Sequence, residues 1–293
     1  MSAEPARWPD LAPQLPEIPP APAPPQPDRA RGWRAAVRAR LLHARALELE
    51  PPEHYGFSVR VATWLFMITG LLYRRYFRTQ VFGLENLPQG PVLLVANHGS
   101  HVLSWDGANI VSACLLDADP PRLVHGMAEH RLMELPLLGY VARRIGAVDG
   151  RRPECIRLLR AGAAVLTFPE GVRALARSFH DRYRLARFGN GFMHVAMATG
   201  APIVPVAAIG GEEEAPLIAN PAWLRRLVRT PVAPITPTIV VPLPVRYRVY
   251  FGTPIQVSGP PTPERVSHEV ERVRQELAIL IERGLAARTH VFF

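Results

Sequence analysis

The 293-residue chain contains no lysine, so all 34 of its basic residues are arginine. It has only two cysteines, Cys114 and Cys155, which fits a reduced compartment and suggests neither a disulfide framework nor a metal site. No Gly-x-Ser-x-Gly elbow occurs, which removes the usual signature of a serine nucleophile in an α/β hydrolase. Long apolar runs are missing too. The longest, Val61 to Tyr73, rises about 20 Å as a helix against a hydrocarbon core of about 30 Å, which is too short to span. The formal charge of +9 comes with no nucleic-acid-binding motif, so no nucleic-acid partner is expected. The same charge suits an anionic membrane surface or a phosphorylated or CoA-type ligand.

What the chain does contain falls into three parts. Residues 1–30 are Pro-rich, with almost no apolar periodicity, and read as a disordered or polyproline tail. The tail has no basic start followed by an apolar run, so no secretory signal is expected and the cytoplasm is the default compartment. Residues 31–80 carry two basic helices. In the first, Trp33, Val37, Leu41, Ala44 and Leu47 recur at helical spacing opposite an Arg-rich face. The second is the apolar run 61–73, bounded by Arg60 and by Arg74-Arg75-Tyr76-Phe77-Arg78. Its flanking Arg and aromatic residues fit a membrane surface, and packing of the helix on a core is the alternative.

From residue 81 to 293 strands and helices alternate. Strands are expected at 91–96, 122–126, 163–168, 202–208 and 246–251, with a short extended piece at 146–149. Helices are expected near 107–116, 131–144, 153–161 and 190–199, with a closing helix from Thr262-Pro263. The pattern predicts an α/β fold with a largely parallel sheet flanked by helices. Residues 212–245 break the rhythm with a basic piece at 223–229 and a Pro-rich, apolar stretch to Pro244.

The chemistry sits at strand ends. After the apolar run Pro91 to Ala96 come Asn97, His98, His101 and Asp106, and in open α/β sheets ligands bind at the carboxyl ends of strands. Chance alone provides roughly 0.2 His–Asp pairs at any one spacing, and Asp106 could be no more than a helix cap, so this block needs company. Two further blocks supply it. Phe168-Pro169-Glu170-Gly171-Val172-Arg173 follows one strand, and Gly146 to Arg152, with Arg151 and Arg152, follows the extended piece. A cation beside loop N–H groups at such a place suits an anionic substrate.

In order and spacing these blocks resemble the glycerolipid acyltransferases, the family of 1-acylglycerol-3-phosphate acyltransferases. Asn97-His98-Gly99-Ser100 is similar to its first block, Gly146 to Arg152 to the second, Phe168 to Arg173 to the third, and Ala201-Pro202-Ile203-Val204-Pro205-Val206 to the fourth. The similarity runs from about residue 78 to 255. It implies transfer of a fatty acyl group from acyl-CoA or acyl-carrier protein to a glycerolipid hydroxyl, at the cytoplasmic face of a membrane, with no cofactor beyond the thioester co-substrate. It further implies a His general base oriented by Asp106, with Arg151, Arg152, Gly171 and Arg173 as the substrate-binding set, and Glu170 holding the acceptor's hydroxyl or orienting Arg173. The family separates its His and Asp by four residues. His101 keeps that separation from Asp106, whereas His98 keeps the strand register and the Asn-His-x-Ser context, so both are candidates for the base. The third block has Val172 and Ala174 where Thr and Ser are common, which leaves a neutral acceptor, as in monoacylglycerol and diacylglycerol acyltransferases, beside a phosphorylated one. An esterase or thioesterase on the same His–Asp site, and a silent membrane-binding protein, are the competing readings.

Overall fold

The computed structural model describes residues 30–48, 56–99, 103–228, 233, 235–238 and 241–292. The expected tail, up to residue 29, and His101 both lie outside the described residues.

Seven strands form one sheet: β1 (Gln80–Phe82), β2 (Val92–Ala96), β3 (Val124–Ala128), β4 (Val148–Asp149), β5 (Ala164–Thr167), β6 (Ile203–Ile209) and β7 (Arg248–Phe251). Their order is β1-β7-β6-β2-β5-β3-β4, and every pairing is parallel except β6 with β7. β2 is central. Its five residues are buried on both faces, which is why the run is uninterrupted Val, Leu and Ala rather than alternating with polar residues. Val92, Leu94 and Ala96 point into one core, with α1 (Ala30–Ala46), α2 (Val59–Leu71) and α3 (Trp105–Leu116). Leu93 and Val95 point into the other, with α6 (Arg152–Arg160), α7 (Gly191–Thr199) and α9 (Pro263–Ala286).

Local chemistry sets the ends of these elements. Ser58 caps α2, and Thr262 caps α9 ahead of Pro263, which stands where the helix needs no N–H. Gly200 closes α7 in the left-handed conformation at φ 70°. The helix expected over 131–144 is two, α4 (His130–Glu134) and α5 (Pro136–Arg144). Pro136 drives the preceding Leu135 to φ −67°, ψ 126°, which breaks the first and starts the second. The strand expected at 122–126 runs two residues later, and β1 is an edge strand that the sequence pattern did not reveal. The basic piece near 223 contains a short helix, α8 (Ala222–Val228).

α1 and α2 contribute to the main core rather than standing apart from it. Val37, Leu41, Ala44, Ala62 and Phe66 are buried with Ile110, Leu115 and Leu116 of α3. The other side of α2 is uncovered: Trp64, Ile68 and Leu71 are 50%, 58% and 55% exposed. Among the described residues no helix is long and apolar enough to cross a membrane.

Candidate active site

The site begins where β2 ends. Asn97 continues the sheet with its side chain: Nδ2 donates to Ala208 O at 3.0 Å, and Oδ1 accepts from Ala208 N at 2.8 Å. This amide fixes the chain leaving the strand and sets His98 at the sheet edge. Gly99 then passes so close to Gly211 that an added Cβ would lie 2.5 Å from Gly211 O.

Asp106 returns to meet His98 from the first turn of α3. His98 Nδ1 lies 2.7 Å from Asp106 Oδ2. The same oxygen accepts from Gly99 N at 2.7 Å, and Oδ1 accepts from Ser104 Oγ at 2.9 Å and Gly107 N at 2.7 Å. Four donors therefore hold a carboxylate that is only 1% exposed. Ser104 makes the return possible by adopting the left-handed region, φ 48° and ψ 57°. Behind the imidazole, Phe168 stacks at 4.3 Å between ring centroids. Among the described residues His98 Nε2 has no hydrogen-bond partner, and the side chain keeps 14% exposure.

The electrostatics follow from these contacts. Burial disfavours the imidazolium, but Asp106, with Glu170 and Glu212 behind it, outweighs burial and holds His98 above its ordinary pKa. Burial likewise works against the Asp106 carboxylate, and His98 with the Gly99 and Gly107 N–H groups reverses it, so Asp106 lies below its ordinary value. The pair is built to stabilise a charged imidazole.

Glu170 corrects the sequence reading. It neither points to solvent nor meets Arg173; it is 1% exposed, with Oε1 accepting from His98 N at 3.3 Å and Oε2 from Ala186 N at 2.7 Å. The arginine it pairs with is Arg177, which also pairs with Glu212 and donates to His98 O at 3.3 Å. A buried carboxylate with its oxygens filled in this way has little capacity left for an acceptor's hydroxyl. Glu170 and Arg177 thus clamp the backbone on either side of His98, with Glu212 holding Arg177, and the sequence analysis had assigned neither Arg177 nor Glu212. The available signal was Gly210-Gly211-Glu212-Glu213-Glu214, three acids at the end of an apolar strand. All three are buried: Glu213 pairs with Tyr183 and Arg288, and Tyr247 Oη donates to Glu214 at 2.7 Å. Burial, then the Asp106 charge, pushes Glu214 above the ordinary carboxylate range.

The remaining expected residues lie on the surface around the same sheet edge. Arg173 is exposed and donates to Arg187 O at 2.9 Å, while Arg152 Nε sits 3.7 Å from the place a Cβ would take on Gly191. Both therefore approach the segment 187–191, which touches the third block through Gly189 N donating to Pro169 O at 2.9 Å. Gly171 is exposed and turns the chain there at φ 60°. Arg151 stands further along, 65% exposed and paired at 2.9 Å with Asp149, which also takes His130 Nδ1 at 2.7 Å.

Residues 78–209 match the model of the Acyltransferase family. An uncharacterized protein of Mycobacterium tuberculosis is 37% identical over 236 residues, 75% of this chain and 65% of that protein. The chicken (Gallus gallus) DGAT1/2-independent enzyme synthesizing storage lipids is 26% identical over 203 residues, 68% of this chain and 58% of the enzyme. The crystal structure of the 1-acyl-sn-glycerophosphate (LPA) acyltransferase PlsC from Thermotoga maritima aligns with a TM-score of 0.47 and 20% identity, over 90% of this chain and 85% of that one. The chain spans less than two thirds of the length of the curated relatives it matches. The match to the Acyltransferase family model, residues 78–209, takes in His98, Asp106, Phe168, Glu170 and Arg177.

Proposed function

We propose that the protein transfers a fatty acyl group from a thioester, acyl-CoA or acyl-carrier protein, to a hydroxyl of a lysophospholipid or other glycerolipid. The observation that carries this reading is the His98–Asp106 pair: a carboxylate saturated by four donors, an imidazole oriented through Nδ1, and Nε2 left for substrate.

The chemistry runs directly. His98 Nε2 takes the proton of the acceptor hydroxyl as its oxygen attacks the thioester carbonyl. The tetrahedral intermediate collapses with loss of the thiolate, which receives the proton from His98 and leaves as thiol. Asp106 stabilises the imidazolium between the two proton transfers, and a positioned base of this kind contributes about 10²–10⁴-fold. No protein nucleophile is required. Arg173 and Arg152, on the two sides of segment 187–191, with Arg151 beyond them, are the groups for an anionic acceptor or the phosphates of the donor. Gly171 offers a bare backbone turn beside them.

A substrate of this kind lies in a bilayer, and we assign the membrane as the partner of the exposed apolar residues. Leu103 in the loop after His98, and Leu137, Leu138 and Tyr140 on α5, are 43%, 73%, 44% and 52% exposed. The protein then works as a peripheral enzyme on the cytoplasmic face. The test is turnover of labelled acyl-CoA on liposomes carrying lysophosphatidate, other lysophospholipids, monoacylglycerol or diacylglycerol in turn. Acylated lipid with one of these acceptors supports the reading and names the acceptor. Release of free fatty acid alone, with any acceptor, overturns it in favour of a hydrolase.

A further inference from the structure

The end of α1 is fastened to the sheet by a contact that the catalytic site does not use. His125, on β3, is wholly buried, and both of its ring nitrogens face an oxygen. Nδ1 lies 2.8 Å from Gly146 O. Nε2 lies 3.0 Å from Glu48 Oε1 and 3.3 Å from Oε2, and the Glu48 side chain is itself only 7% exposed. Three segments far apart in the chain therefore meet on one imidazole: the end of α1, β3, and the start of the block that carries Arg151 and Arg152.

The two contacts fix the number of protons. A backbone carbonyl only accepts, so Nδ1 must carry a hydrogen. A neutral imidazole then points a bare lone pair from Nε2 at a carboxylate, which is also acceptor-only. The contact closes only with one further proton between Nε2 and Glu48. Imidazolium beside carboxylate and imidazole beside carboxylic acid hold the same number, so the proton belongs to the pair. The groups around it do not replace that proton. Burial works to lower the pKa of Arg122, just before β3, and the Glu48 charge opposes this, but Arg122 Nη2 donates to Gly90 O at 2.8 Å. Cys114 of α3 is pushed by burial up to about 12 and stays a neutral thiol. Arg45 precedes Glu48 by one turn, its carbonyl accepting from Glu48 N at 3.2 Å, and Arg143 of α5 rests 3.3 Å from the place a Cβ would take on Gly56. Val165, opposite His125 on β5, and Phe57, beside Gly146, carry no charge.

We propose that His125 and Glu48 form a buried proton-operated latch. With the shared proton bound, the latch ties the end of α1 to β3 and to the start of the Arg151–Arg152 block. When the proton leaves, two acceptors face each other in a site closed to water, and Glu48 swings out to be solvated, freeing the end of α1. The folded chain thus holds a proton that an unfolded chain, with imidazole and carboxylate titrating apart, gives up. The sign follows from linkage: the latch's share of stability is full where the unfolded imidazole is also protonated and is lost as pH rises, by up to about tenfold in the folding constant per pH unit. Neither acyl transfer nor membrane binding enters the argument.

Glu48→Gln is the informative change, because its amide NH₂ donates to a bare Nε2 and needs no extra proton. Full-length wild type and variant are unfolded in urea from about pH 5 to about pH 9, the range over which an ordinary imidazole loses its proton. Wild type should be the more stable chain at the acid end and the less stable at the alkaline end, with the ratio of the two folding constants moving by about tenfold or more between them. Titrations elsewhere, His98 with Asp106 included, are common to both chains and cancel in that ratio. Parallel pH curves would overturn the latch. A second measurement needs only the wild type: hydrogen exchange of backbone amides against pH. The amides of α1 should gain more speed with rising pH than base catalysis gives an unstructured peptide, while those of α9 gain less. An equal rise in α1 and α9 would report loosening of the whole fold and overturn the proposal.

Discussion

Asp106→Asn separates the charge of the dyad from its shape. The aspartate accepts four hydrogen bonds, two on each oxygen, and asparagine has one acceptor oxygen and one NH₂ donor. With the amide oxygen at the Oδ2 place, His98 and Gly99 keep their acceptor, and Ser104 can rotate its hydroxyl to accept from the NH₂. Only the Gly107 N–H is then orphaned. The opposite orientation orphans Gly99 N–H and sets an NH₂ against His98 Nδ1, so the first should prevail. One buried unsatisfied N–H costs about 1–3 kcal/mol, or a fall in Tm of about 2–4 °C per kcal/mol for a chain approaching this size. The effect on chemistry is larger, because the anion that stabilises the imidazolium is gone. The fall in kcat is expected at about 10²–10⁴-fold. The pH profile supplies the sign. In the wild type the base must be neutral, and Asp106 holds His98 above its ordinary value, so activity rises with pH through that raised pKa. Removing the charge lowers it, and the acid limb of kcat/KM should move to lower pH. Stability follows the same pair. The Asp106 share is present above the ordinary carboxylate range and lost as pH falls through its depressed value. The His98 share is full below its ordinary pKa of about 6.5 and lost as pH rises through the raised one. The stability gap between wild type and Asp106→Asn should therefore be widest in mildly acid solution. A variant with wild-type kcat, or an acid limb that stays in place while kcat falls, would refute this account of the dyad.

Further outcomes follow from the surroundings of the dyad. Arg177→Met leaves Glu170 and Glu212 buried without their cation and should cost about 3–5 kcal/mol in urea unfolding; a loss below about 1 kcal/mol would show that the clamp is not structural. Gly99→Ala sets a Cβ 2.5 Å from Gly211 O, a backbone atom that cannot swing aside. It should cost about 1–3 kcal/mol and also draw the Gly99 N–H off Asp106, so activity measured well below Tm should fall more than stability explains.

How much of this was legible beforehand depends on how local each cause is. β2 was readable because a central parallel strand must be apolar on both faces, and α9 because Thr262-Pro263 is followed by Val266, Val270, Val273, Leu277, Leu280, Ile281 and Leu285 at helical spacing. The division at Pro136 follows from a rule about one residue, yet the apolar spacing runs through it and masked it. β1 has only three residues and pairs with β7 across more than 160 positions, so nothing nearby announces it. The choice between His98 and His101 was open because spacing and strand register disagreed. The left-handed Ser104, which returns Asp106 to His98, is a property of the loop's path and not of its composition. Arg177 and Glu212 were illegible for the same reason: their meaning is a pairing across 35 positions.

The central claim is that His98, held by Asp106, is the base that activates the acceptor. It is tested most directly by the rate of acyl transfer in His98→Ala and His101→Ala beside wild type, with the acceptor that gives the highest turnover. The account predicts that His98→Ala loses about 10²-fold or more in kcat with its fold intact, while His101→Ala remains within a few-fold of wild type. Transfer that survives His98→Ala and vanishes with His101→Ala would contradict it.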